Sequence, residues 1–172
     1  LLLVDAVTSL AGSPVETDAW GMDFVFTGSQ KALALPPGLA LGVASERMIG
    51  RSKTIPERGA YLDLVTFERA FAEAQPTNTP AISFFFALDV ALKHLVAEGI
   101  EDIVARHQRI ADQTRQGVKS LGLRLLAEER SASNTVTAVR VPDGVEWPKL
   151  YHLLQDDYDT LIAKGKAWMG LG

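Results

Sequence analysis

Cysteine is absent from the 172 residues. A disulfide framework, a thiolate metal site and a cysteine nucleophile are all excluded with it. No apolar run approaches the roughly 20 residues that cross a bilayer, and no signal-peptide pattern opens the chain. These features set the expectation of a cytoplasmic protein with no membrane partner. Positive charge is in the minority, with 17 Lys and Arg against 21 Asp and Glu and a net charge of −4. No basic cluster stands out, so nucleic acid is not an expected partner. The three histidines, His94, His107 and His152, are scattered and form no metal-ligand constellation. A glycine-rich phosphate loop following a strand is also missing, which ranks a nucleotide-binding domain last among the options.

What remains is 47% hydrophobic and 22% charged, ordinary for a globular chain. Its most informative stretch is Phe24-Val25-Phe26-Thr27-Gly28-Ser29-Gln30-Lys31, continuing through Pro36-Pro37-Gly38. One lysine stands at the mouth of an apolar strand, with small polar residues before it and apolar residues after. An ammonium held near apolar walls loses hydration, its pKa falls, and the neutral amine becomes a nucleophile able to form a Schiff base. Upstream, Leu1-Leu2-Leu3-Val4-Asp5 is a second apolar strand that ends in a carboxylate. An amine for an aldehyde carbon and an anion for a pyridinium nitrogen are the two groups that pyridoxal 5'-phosphate requires.

Strands are expected over residues 1–5, 23–26 and 39–44, in a parallel or mixed sheet covered on both faces. Ser45 reads as a helix N-cap. Residues 50–79 read as a polar loop carrying contacts rather than core. A helix is expected from Pro80 to about Glu98, and a second through Ile103, His107, Ile110 and Val118 to Leu121-Gly122. His107 lies on the apolar face of that second helix and reads as a core histidine. Short strands are expected at 123–127, 135–141 and 161–163, with an amphipathic helix over 146–157. The chain opens inside an apolar strand, which reads as the C-terminal part of something longer.

The run Val4-Asp5-Ala6-Val7-Thr8-Ser9-Leu10-Ala11-Gly12, then Ser29-Gln30-Lys31, Pro36-Pro37-Gly38, Thr77-Asn78-Thr79-Pro80 and Val141-Pro142, resembles the class V aminotransferases. These belong to the fold type I superfamily of pyridoxal-phosphate enzymes, and the likeness is greatest to the alanine–glyoxylate and serine–glyoxylate branch. The resemblance implies an α/β fold. Residues 1–98 would be the remainder of the cofactor-binding large domain with its interdomain helix, and 99–172 a small α+β C-terminal domain. Lys31 would hold the cofactor as a Schiff base and shuttle the proton. Asp5 would pair with the pyridinium nitrogen, Val7 would pack on the ring, and Gln30 would bind the phosphate with Ser29 close by. Thr79 would reach the phosphate of a neighbouring subunit in a homodimer, or else cap the helix that starts at Pro80. The implied reaction moves an amino group from alanine or serine to glyoxylate or a similar 2-oxo acid.

A rival within the superfamily, a cysteine desulfurase, would need a cysteine and a histidine before the lysine; this chain has no cysteine and has Gln30 there, so that rival loses. The family's substrate-carboxylate arginine near the C-terminus is missing, since the matching stretch reads Lys164-Gly165-Lys166-Ala167-Trp168. Neither lysine offers the planar fork that grips a carboxylate bidentately. The alternative that follows is a catalytically inactive remnant acting as a dimerisation or scaffold module.

Overall fold

The computed structural model describes residues 1–165. The chain divides into two compact units, residues 1–108 and residues 109 onward.

The first unit is built on a three-stranded mixed sheet in the order β1-β2-β3, with β1 over Leu3–Asp5, β2 over Phe24–Gly28 and β3 over Ala40–Ala44. β1 and β2 are parallel, pairing Leu3 with Phe24 and Asp5 with Phe26; β2 and β3 are antiparallel, pairing Phe24 with Ala44 and Gly28 with Ala40. Successive β2 side chains alternate between faces. Val25 and Thr27 are buried, while Phe24 and Phe26 share the opposite face with their rings stacked at 6.2 Å. That second face is open: Leu3, Asp5, Phe26 and Gly42 are all exposed on it. The expected cover on both faces is therefore not supplied among the described residues.

Helix α1, Glu46–Lys53, begins where expected, with the Ser45 hydroxyl accepting the Met48 N–H; Glu46 in its first turn and Arg51 and Lys53 in its last complement the helix dipole. The expected loop over 50–79 is partly helical instead. Helix α2 runs Leu64–Ala72, its N-cap Asp63 accepting the Val65 N–H at 3.2 Å and the Thr66 hydroxyl at 2.8 Å. Leu64, Phe67 and Phe71 recur at helical spacing behind that cap, and Phe67 and Phe71 are exposed. Helix α3, Ile82–Glu98, stops at Gly99, whose φ of 89° suits glycine. Helix α4, Ile100–Ser120, follows at once and crosses from the first unit into the second. Ile103 is its deepest side chain. His107 is half-buried, and its Nδ1 donates to the Ile103 carbonyl at 2.8 Å, the satisfied core histidine that the spacing suggested.

In the second unit, Arg115 is buried and donates from Nη1 to the Ser133 carbonyl at 2.9 Å. The strands expected at 123–127 and 135–141 shrink to one antiparallel bridge, Leu125 with Val139. A short 3₁₀ turn at Glu129–Ser131 occupies part of the connection. Helix α5, Trp147–Tyr158, forms as expected with Pro148 in its first turn. No strand forms at 161–163. The apolar triplet there is too short to hold a ladder without a paired neighbour. No helix among the described residues is long and apolar enough to cross a membrane.

Candidate active site

Parallel pairing brings the C-terminal ends of β1 and β2 to the same edge of the sheet, the edge where open α/β sheets hold ligands. Asp5 is the last residue of β1. Its Oδ1 accepts the Val7 N–H at 2.9 Å, which turns the chain away from the strand. The fully buried Ala6 anchors that turn by donating its N–H to the Phe26 carbonyl at 2.9 Å, and the Ser9 and Leu10 amides return to the Ala6 carbonyl. Asp5 thus serves the turn-forming role that any strand-end aspartate can play, and it keeps Oδ2 out of that turn. Val7 is half-buried beside it.

β2 ends at Gly28 and leads into the loop 29–39, which carries Lys31. Ser29 is fully buried. Its N–H donates to the Leu39 carbonyl at 3.0 Å and its carbonyl accepts the Leu35 N–H at 3.1 Å. Its hydroxyl donates to the Pro36 carbonyl at 2.7 Å and accepts the Leu39 N–H at 3.2 Å. Inside the loop the Ala34 N–H closes a tight turn onto the Lys31 carbonyl at 2.9 Å, and Ala34 takes a φ of 57°. Leu33 is buried beneath this turn. Gly38 ends it pressed on α3: a Cβ there would lie 2.4 Å from the Phe84 Cζ. The loop after β1 carries a similar alanine, Ala11, with a φ of 64°. Left-handed backbone in non-glycine residues is strained and collects at functional loops.

Gln30 and Lys31 are exposed on this loop. A side chain at Gly28 would meet the Gln30 Oε1 at 2.5 Å, so the absence of a Cβ is what allows the Gln30 amide to fold back over the end of β2. The structure thus brings Asp5, Val7, Gln30 and Lys31 to the ends of two adjacent parallel strands. It does not bury them. Asp5 and Lys31 are both exposed, which corrects the expectation of a carboxylate and an amine held among apolar walls. The reason is local: Asp5 closes β1 and Lys31 stands on the loop past β2, and among the described residues β1 has β2 as its one sheet neighbour. Thr79 is exposed on the segment leading into α3, and no hydrogen bond among the described residues joins it to the other four. It does not cap α3 either, because Ala81 occupies that position. Lys164 is exposed; Lys166 and Trp168 lie outside the described residues.

The donor set nevertheless fits pyridoxal phosphate. A primary amine, a carboxylate with an oxygen outside its turn, and an amide in a recess that a Cβ would fill are the functional groups its aldehyde, ring nitrogen and phosphate call for.

One functional support escaped the sequence reading, which saw in Asp23 only the start of a strand. Asp23 is 1% exposed and binds Arg47 through both oxygens, at 2.7 Å each. It also accepts the Leu2 N–H at 2.6 Å and the Ser45 hydroxyl at 2.9 Å. The Arg47 hydrogen bonds, helped by those from Leu2 and Ser45, outweigh burial and hold its carboxyl far below the usual carboxylate range. This cluster ties the residues that enter β1 and β2 to the start of α1, at the opposite end of the strands from Asp5 and Gly28. No local pattern links them, because Ser45 and Arg47 lie 22 and 24 residues from Asp23 in the chain.

A family model described as aminotransferase class-V matches residues 1–168. An uncharacterized aminotransferase of Methanocaldococcus jannaschii is 40% identical over 168 residues, covering 96% of this chain and 44% of that protein. A serine–glyoxylate aminotransferase of Arabidopsis thaliana is 35% identical, covering 96% of this chain and 42% of that protein. Among solved structures, the alanine–glyoxylate aminotransferase from Nostoc sp. superposes with a TM-score of 0.90 at 31% identity, covering 97% of this chain and 45% of that one. The chain thus spans rather less than half the length of the relatives it matches.

Proposed function

The chain belongs to the class V aminotransferases, and we propose that it is the lysine-bearing portion of a pyridoxal-phosphate-dependent enzyme. The observation that carries the reading is the parallel pairing of β1 with β2, which puts Asp5 at the end of one strand and Lys31 on the loop past the end of the other, with Gln30 folded over that second strand end. When bound, the cofactor supplies an electron sink for the carbon from which the amino group departs. Lys31 anchors it through its Nζ and moves the proton at the reacting carbon. Asp5 holds a proton on the ring nitrogen with the oxygen that is not in its turn. Gln30 offers its amide to the phosphate, and Val7 presents an apolar side chain to the ring.

Alanine or serine as donor, with glyoxylate or a similar 2-oxo acid as acceptor, is the substrate pair this reading favours, in line with the names of the relatives. Thr79, exposed ahead of α3, then serves the phosphate of a second subunit in a homodimer. The division into a cofactor-domain portion, 1–98, and a small domain, 99–172, and a cytoplasmic location belong to the same proposal. Large exposed apolar side chains such as Phe71, Phe86 and Val96 support interfaces with further protein.

The test is covalent capture. The purified chain is incubated with pyridoxal phosphate, reduced with borohydride and mapped by mass spectrometry beside Lys31→Ala. Cofactor fixed on Lys31 and lost in the variant is the expected result. A second reading, an inactive module that keeps the fold without the chemistry, is favoured by the exposure of Lys31. A folded circular-dichroism spectrum with no preferential fixation at Lys31 would establish that second reading and sink the first.

A further inference from the structure

Ser29 has no polar group left for a ligand. Its N–H, C=O and hydroxyl make four hydrogen bonds, all to residues 35–39 on the returning arm of the loop, and none of its surface reaches solvent. That geometry turns it away from the phosphate that it was expected to approach. Left to itself, a loop of this length samples many conformations, and Lys31 would wander with it. Several features oppose that freedom. Pro36 and Pro37 stiffen the returning arm, Gly38 lies against the Phe84 ring, and the Ala34 amide closes onto the Lys31 carbonyl. All of these converge on the arm that Ser29 grips. Lys31 stands two residues from this buried anchor, so its backbone is held and its side chain alone remains free.

We propose that Ser29 is a positioning residue for Lys31: by clasping residues 35–39 it holds the lysine past the end of β2, at the sheet edge where β1 ends in Asp5, and it contacts no substrate or cofactor itself. The inference rests on the reading of Lys31 as the cofactor-anchoring lysine.

The test compares the wild-type chain with Ser29→Ala, and with the near-isosteric Ser29→Cys in case the alanine variant does not fold. Pyridoxal phosphate with borohydride is the probe. Peptide mapping gives the labelling of Lys31 relative to the exposed Lys93 and Lys149, and hydrogen exchange reports the Leu35 and Leu39 amides. In the wild type, Lys31 is labelled ahead of both controls. Ser29→Ala lowers that preference about tenfold, as expected for two lost hydrogen bonds, with faster exchange at Leu35 and Leu39 and unchanged exchange along α4. Ser29→Cys falls between. Faster exchange with the Lys31 preference intact would make Ser29 merely structural and overturn the proposal, as would no change in either readout. A wild type that labels Lys31 no faster than Lys93 would remove the cofactor reading and the proposal together, a pattern distinct from the other two.

Discussion

Gly38→Ala gives the sharpest test of how the lysine loop is seated. Gly38 has no left-handed φ, so its backbone accepts alanine without strain. Any cost must come from space. The new Cβ would lie 2.4, 2.5 and 2.9 Å from the Cζ, Cε1 and Cε2 of Phe84. Carbon atoms rest about 3.5–4.0 Å apart, so the ring or the loop has to yield by about 1 Å. Overpacking of this kind costs about 1–3 kcal/mol. Restricting the unfolded chain returns about 0.4–1 kcal/mol. The expected net is a destabilisation of about 1–2 kcal/mol, read from urea midpoints. Removing the ring should reverse the sign: in a Phe84→Ala background, alanine at 38 becomes neutral or stabilising by up to about 1 kcal/mol. A double-mutant cycle then yields a coupling well above the roughly 0.5 kcal/mol expected of independent sites. Additive effects, or a Gly38→Ala that is stabilising on its own, would refute the claim that Phe84 seats this loop.

Asp23→Asn should lower stability at pH 7, because the bidentate pair with Arg47 is lost. The native carboxyl titrates below its unfolded value of about 3.9. Its contribution is therefore complete above that pH and disappears as pH falls through the lower native value. Urea midpoints of wild type and variant should converge in acid; parallel curves between pH 7 and pH 3 would contradict the assignment. Ile103→Ala truncates the largest fully buried apolar side chain among the described residues, 1% exposed, and should cost about 2–5 kcal/mol by chemical denaturation. A loss below about 1 kcal/mol would mean that the start of α4 is not anchored there.

Much of the local structure was legible for physical reasons. Apolar runs bounded by turn residues marked β1, β2 and β3. A serine before Glu46 marked α1, and a glycine after Glu98 marked the end of α3. Helix α2 carries its own signals, the Asp63 cap and Leu64, Phe67 and Phe71 at helical spacing, but in nine residues between polar stretches they read as loop. The strands of the second unit were over-read from β-branched content. Such residues favour a ladder only where a partner strand is in register, and one bridge is all that forms.

The site divides along the same line. The sequence by itself determined which groups are available, an amine, a carboxylate and an amide, and their order beside two apolar strands, because side-chain chemistry and strand periodicity are local properties. Only the tertiary structure decided that β1 and β2 run parallel and so present Asp5 and Lys31 at one edge. It also decided that Ser29 faces inward, that Asp23 and Arg47 pair across the start of β2 and α1, and that the lysine is exposed. Those outcomes depend on contacts between residues far apart in the chain, and on which neighbours surround each group, and no local pattern carries that information.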